Sequence, residues 1–123
     1  MGMSIDVHLR TIPHTSQRYD TCGDWGTFDD HITYIHVSDV GNLDYEWLVM
    51  IHEIVEAVLC QKRGITDEEV TLFDEAYKGD GEPGDDPKAP YRREHQFASR
   101  IEKMMAKELG VDWETYDEAV SSL

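Results

Sequence analysis

Between Trp47 and Gly64 the chain reads WLVMIHEIVEAVLCQKRG, with apolar residues at Trp47, Leu48, Val49, Met50, Ile51, Ile54, Val55, Val58 and Leu59. These fall on nearly every side of a helical wheel, which is the pattern of a helix enclosed by the rest of the protein rather than lying on its surface. The fold is therefore expected to form around this segment. Within it, His52 and Glu56 stand one turn apart with Glu53 beside them, so three ionisable groups share about a third of the helix circumference. Burying such groups is costly unless something pairs with them. A metal ion is one partner that suits all three.

A chain of 123 residues has room for one real core and not for two, so residues 1–123 are read as a single domain. No apolar run reaches the roughly 18 to 20 residues that cross a bilayer. The N-terminus, MGMSIDVHLR, lacks the plan of a signal peptide, and the expectation is a soluble, cytoplasmic protein without membrane contact. Cys22 and Cys60 are far apart and form no C-x-x-C pattern, so neither a disulfide scaffold nor a cysteine zinc site is expected. Cys60 reads as a buried thiol. A formal net charge of -15 repels phosphate backbones and anionic lipid, which argues against direct nucleic-acid binding.

Ser4 to Ile12 alternates, with Ile5, Val7 and Leu9 on one side, and predicts a half-buried strand ending near Pro13. Tyr19 to Phe28, broken by Gly23 and Gly26, reads as turn-rich, or as a short strand or hairpin with a bulge. His31 to Val37, HITYIHV, predicts a strand covered on both sides. Asp44 is the expected N-cap of the central helix and Gly64 its stop. Thr66 with Glu69 forms a capping box for a second helix running to about Lys78. Gly79 to Pro90, GDGEPGDDPKAP, predicts an exposed loop, and its spacing does not match a calcium-binding EF-hand. A third helix is expected from about Tyr91 to Leu109, with Phe97, Ala98, Ile101, Met104 and Met105 as its apolar stripe and His95 close by. A fourth, short helix starts at Asp112 and carries Trp113, Tyr116 and Val120. The fold class that follows is α+β: a small N-terminal antiparallel sheet packed on the buried motif helix, then a helical C-terminal half.

Ligands at i and i+4 of one helix hold a metal without straining the backbone, and His52 and Glu56 have that spacing. A carboxylate one residue after the first ligand projects beside the metal, where it takes a proton from a water; the H-E-x-x-H helix of zinc proteases uses this geometry. Glu53 has that position. The segment thus resembles the motif helix of the zincin metallopeptidases, with Glu56 in place of the second histidine, giving H-E-x-x-E. Strand, short connection and apolar motif helix also follow the order of small zincins. Over roughly Ile32 to Leu109 the chain is similar to small phage and prophage zincin-like proteins in which an H-E-x-x-E helix is followed by an E-H-Q helix.

The resemblance implies Zn²⁺ held by His52, Glu56 and a third ligand, for which His95 is the candidate, with Glu94, Asp74 and Glu102 as other groups able to complete the set. Glu53 would be the catalytic base of a metallopeptidase-like hydrolase. Tyr91 or Tyr34 would serve as oxyanion donor, and a peptide substrate would add as a strand along an exposed sheet edge. The bland alternative is a hydrogen-bonded His52–Glu56 pair satisfied by a neighbour. His8, His14, His31 and His36 remain unassigned, His36 being the one expected to approach the helix. Two rival functions stay open. One is a magnesium-dependent nucleotide pyrophosphohydrolase using Glu53 and Glu56 with Glu94 or Glu102, against which His52 counts because magnesium prefers oxygen. The other is a noncatalytic acidic binding protein, either a DNA mimic or a phage accessory factor.

Overall fold

The computed structural model describes residues 5–123. Three strands, β1 (His8–Ile12), β2 (Gly23–Phe28) and β3 (His31–Ser38), precede four helices: α1 (Leu43–Lys62), α2 (Asp67–Ala76), α3 (Arg92–Glu108) and α4 (Trp113–Ser121). The class is α+β, as expected. The sheet is mixed rather than antiparallel: its order is β1-β3-β2, with β2 antiparallel and β1 parallel to β3. The reason is the connection through residues 13–22, which carries the chain past β3 before β2 begins, so that β1 and β3 run in the same direction.

The segment read as turn-rich forms a bulged hairpin strand. β2 shifts register between Gly26 and Thr27, and the turn to β3 places Asp29 and Asp30 at positive φ, 51° and 62°. A two-residue hairpin turn with both central residues left-handed matches the twist of the flanking strands. The alternation at the N-terminus yields less strand than it predicts: Ser4 lies outside the described residues, pairing starts only at His8, and Ile5 and Leu9 are exposed. On β3, Ile35 and Val37 are buried in the core, whereas His36 lies on the opposite face against the ring of Tyr34 and does not approach the helix.

The cap of α1 is Asn42, whose side chain accepts the Tyr45 N–H, and Asp44 sits in the first turn, where its charge suits the helix dipole. At the other end Ile65 N–H bonds Cys60 O and Gly64 N–H bonds Gln61 O, the paired bonds that close a helix on a left-handed residue. Thr66 caps α2 through Glu69 N–H, and Asp112 caps α4 through Thr115 N–H. α2 ends at Ala76, short of Lys78.

α1 packs on β2, β3 and α3. It is not enclosed on all sides: Trp47 is 46% and Val58 51% exposed, while His52, Glu53 and Glu56 are buried. α3 keeps only part of its predicted apolar stripe, since Ala98 is buried and Ile101 half-buried as expected but its larger apolar members are not. Glu94, His95, Ala98, Glu102 and Ala106 are buried, and Phe97, Met104 and Met105 are exposed. The two helices therefore meet along a seam that is largely polar. Residues 79–90 are not uniformly exposed, because a short 3-10 turn at Pro83–Asp85 buries Gly84 against α3 and Ala89 joins the core. Among the described residues no helix is long and apolar enough to cross a membrane. Cys22 and Cys60 are free thiols, Cys60 fully buried.

Candidate metal centre

His52 and Glu56 project from consecutive turns of α1 toward α3, and His95, in the first turn of α3, projects back. His52 Nε2, Glu56 Oε2 and His95 Nδ1 converge as a nearly regular triangle: 3.1 Å from His52 to Glu56, 3.1 Å from His95 to Glu56 and 3.2 Å from His52 to His95. All three side chains are buried. Tetrahedral ligands roughly 2.0–2.1 Å from a zinc ion stand about 3.3 Å apart, so the three atoms have the spacing of one face of such a site. Hydrogen bonds alone satisfy them poorly. Two imidazole nitrogens facing each other would both donate to a single carboxylate oxygen, with their N–H dipoles opposed.

The far atoms of His52 and Glu56 are also engaged. His52 Nδ1 meets Glu102 Oε1 at 2.7 Å, and the Tyr116 hydroxyl donates to the other Glu102 oxygen. Trp25 Nε1 donates to Glu56 Oε1 at 3.2 Å. Because an ionised carboxylate only accepts, Glu102 keeps the proton of His52 on Nδ1 and leaves Nε2 as the free donor atom. Such outer partners fix the tautomer and ring orientation of metal-ligating histidines. His95 Nε2 lies 2.8 Å from Glu82 Oε2 and 3.5 Å from Asp85 Oδ1. The Glu82 oxygen is off the line of the N–H bond, and Nε2 is buried without a hydrogen-bond partner.

Glu53 stands beside the triangle and not in it: its Oε2 is 3.9 Å from His52 Nε2. A Cβ at residue 23 would lie 2.7 Å from Glu53 Cγ, and one at residue 84 would lie 2.3 Å from His95 Cγ. Glycine at both positions lets β2 and the 3-10 turn close directly onto the site.

The electrostatics separate the two carboxylates of the motif. Burial raises Glu53 well above the ordinary carboxylate range, and the charge of Glu56 adds to this. Burial acts on Glu56 in the same direction, but hydrogen bonds from His52 and His95 outweigh it and hold Glu56 at about 2. For His52, burial favours the neutral ring, yet hydrogen bonds to Glu102 and Glu56 raise it well above the usual imidazole value. His95, opposed by burial in the same way, is carried by Glu56 and Glu82 up to about 10. The pocket is therefore one in which positive charge is strongly favoured.

The groups lie in a cleft of about 350 Å³ that also reaches Tyr19, Asp74, Tyr91 and Trp113. Of the other residues considered as ligands, Glu102 bonds His52 from outside the triangle, Glu94 pairs with Arg63 at 2.6 Å, and Asp74 accepts the Tyr19 and Tyr91 hydroxyls. Tyr91 lines the cleft and Tyr34 does not. His14, also unassigned from sequence, bridges Ser38 and Asp20.

An added substrate strand is not favoured at this cleft. Gly23 to Gly26 are buried along the β2 edge, and Thr27 N–H is taken by Asp67. The exposed edge is β1, which contributes no residue to the cleft.

Trp25, Tyr116 and Glu82 were not among the residues singled out from sequence. Glu102 carried one usable signal, since it lies two turns after His95 on the same helix face. No protein-family model matches the chain, and neither a curated protein nor a solved structure is found to be similar to it.

Proposed function

We propose that the chain is a zincin-like, zinc-dependent hydrolase acting on a peptide or similar acyl compound, with His52, Glu56 and His95 as metal ligands. The observation that carries this reading is the triangle of donor atoms at 3.1–3.2 Å, with His52 and Glu56 each held from behind by a different residue. The donor set favours zinc over magnesium, since two imidazoles and one carboxylate suit the former and all-oxygen shells the latter. The magnesium reading is further weakened because Glu94 is turned away to Arg63. A zinc ion bound there would supply Lewis acidity and bring the pKa of water down to about 7.

The chain's own residues supply the rest. Glu102 and Tyr116 hold His52 in one tautomer, Trp25 fixes the carboxylate plane of Glu56, and Glu53 takes the proton from the attacking water. Glu53 suits that task by position, its carboxylate standing beside the triangle 3.9 Å from His52 Nε2, and burial raises its proton affinity. Once protonated, Glu53 would return that proton to the leaving amine.

The test is elemental analysis of protein purified without chelators or a histidine tag and dialysed into zinc-free buffer. Wild type should retain about one zinc per chain, and His52→Ala, Glu56→Ala and His95→Ala should retain none. Glu53→Gln should keep the metal and lose turnover of a peptide panel by ~10²–10⁴-fold. Wild type that takes up no zinc even when it is offered at neutral pH would sink the reading and favour an acidic binding protein.

A further inference from the structure

Beyond the inner triangle, Glu82, Asp85 and the far nitrogen of His95 bring three further ligand atoms within 4.8 Å of one another. We infer that they form a second zinc site, bridged to the first by the imidazole of His95. The inference rests on the inner-site reading above.

Local geometry builds the outer group. Glu82, in extended backbone, caps the 3-10 turn Pro83–Asp85, and Asp85 is its last residue. The short turn keeps both carboxylates within reach of the same ring nitrogen. The turn is seated against His95, with Gly84 packed on the imidazole ring. This directs the two carboxylates to Nε2 at 2.8 and 3.5 Å.

The independent observation is the state of that nitrogen. His95 is 94% buried, its side chain leaving only 7% exposed, and Nε2 has no hydrogen-bond partner. A buried polar atom without a partner is uncommon and costly. If Glu82 served only to orient the ring, its oxygen would lie on the N–H axis, and it does not. A cation between Nε2, Glu82 and Asp85 would use the lone pair directly. It would also neutralise two carboxylates whose only charged contact among the described residues is His95. Imidazole with carboxylates is a zinc donor set, and the exposure of Glu82 and Asp85 leaves open positions for water. On binding the second ion, His95 loses its Nε2 proton to solvent and becomes an imidazolate joining both metals. The loop carrying Glu82 is then fixed to α3 at the mouth of the cleft.

The experiment starts from protein holding its single tight zinc and titrates further Zn²⁺ calorimetrically. Wild type, Glu82→Gln/Asp85→Asn and His52→Ala are compared, and all three are then loaded with Cu²⁺ for electron paramagnetic resonance. The expected result is one additional equivalent in wild type and none in Glu82→Gln/Asp85→Asn, which keeps its first zinc. Wild-type dicopper protein should lose signal intensity at low temperature through exchange across the bridge. A second equivalent that persists in the double variant, or two coppers with uncoupled signals, would mean adventitious binding to an acidic surface and overturn the proposal. Saturation of wild type at one zinc would overturn the outer site and leave the inner one standing. A single ion retained by His52→Ala and lost in Glu82→Gln/Asp85→Asn would overturn the bridge and the inner-site reading together.

Discussion

Two parts of the core around α1 have very different compositions. In one, Trp25, Ile35, Val37, Leu48 and Cys60 form an apolar cluster whose members are at most 3% exposed. In the other, interleaved with it along the same helix, His52, Glu53 and Glu56 are buried against His95 and Glu102 of α3, with Trp25 and Gly23 of β2 also in contact. The first region is stabilised by removing apolar area from water and needs nothing from solution. The second gathers carboxylates and imidazoles whose mutual arrangement raises the proton affinity of both histidines. Its buried carboxylates are balanced by the imidazoles they hydrogen-bond. The core thus combines a part held by exclusion of water with a part held by pairing of charged and polar groups, in which the proposed cation would sit.

The largest expected effect follows from that division. A ligand that binds only the folded state at a free concentration 1,000 times its dissociation constant stabilises by about 4 kcal/mol. Zinc at that level should raise the thermal midpoint of wild type clearly and leave Glu56→Ala unmoved. Equal stabilisation of both proteins would mean that zinc acts elsewhere. The apolar side should behave in the opposite way. Leu48→Ala removes a fully buried side chain and should cost about 3 kcal/mol in denaturant unfolding, with the same penalty whether or not zinc is present. A penalty that changed with zinc would show that the two regions are coupled.

A smaller effect tests how far the polar region extends. The Tyr116 hydroxyl touches Glu102, which in turn touches His52, so Tyr116→Phe should weaken zinc about tenfold, or ~1.4 kcal/mol. Competition with a chromophoric chelator measures this. An unchanged affinity would confine the site to its three ligands and their direct partners.

The same contrast explains what sequence conveyed and what it did not. Helix positions, the stops at Gly64 and Gly110, and the caps at Thr66 and Asp112 are local chemistry and were legible. So was the spacing of His52, Glu53 and Glu56. The buried face of α3 was not, because the rule that apolar residues face inward fails where the interior is polar. Phe97 and Met104 lie outside while Glu94 and Glu102 lie inside. Trp25 falls in the segment read as turn-rich and Tyr116 on the expected fourth helix, and only the fold brings the indole N–H to Glu56 and the hydroxyl to Glu102. The direction of β1 depends on a connection whose path carries no periodic signal.

The smallest predicted effect concerns Asp74, a carboxylate at the border between the two regions. Burial pushes it up to about 6, although hydrogen bonds from Tyr91 and Tyr19 oppose the shift. The folded state therefore binds its proton more tightly than the unfolded chain, whose aspartate ionises near ~4. Below that value both states are protonated and Asp74 carries no charge penalty. Between about 4 and about 6 the unfolded chain releases its proton first, so the contribution of Asp74 to stability falls as pH rises, and above about 6 the loss is complete. Allowing for its partial exposure, the loss amounts to about 1 kcal/mol. Asp74→Asn cannot ionise, so its stability relative to wild type should rise by that amount between pH 4 and pH 7 in paired urea titrations. A constant offset at all pH values would report only the acceptor lost to one of the two tyrosines. A parallel pair of curves would therefore place Asp74 with the protonation-independent apolar region. A rising difference would place it with the seam, where folding depends on which charges the interior is asked to hold.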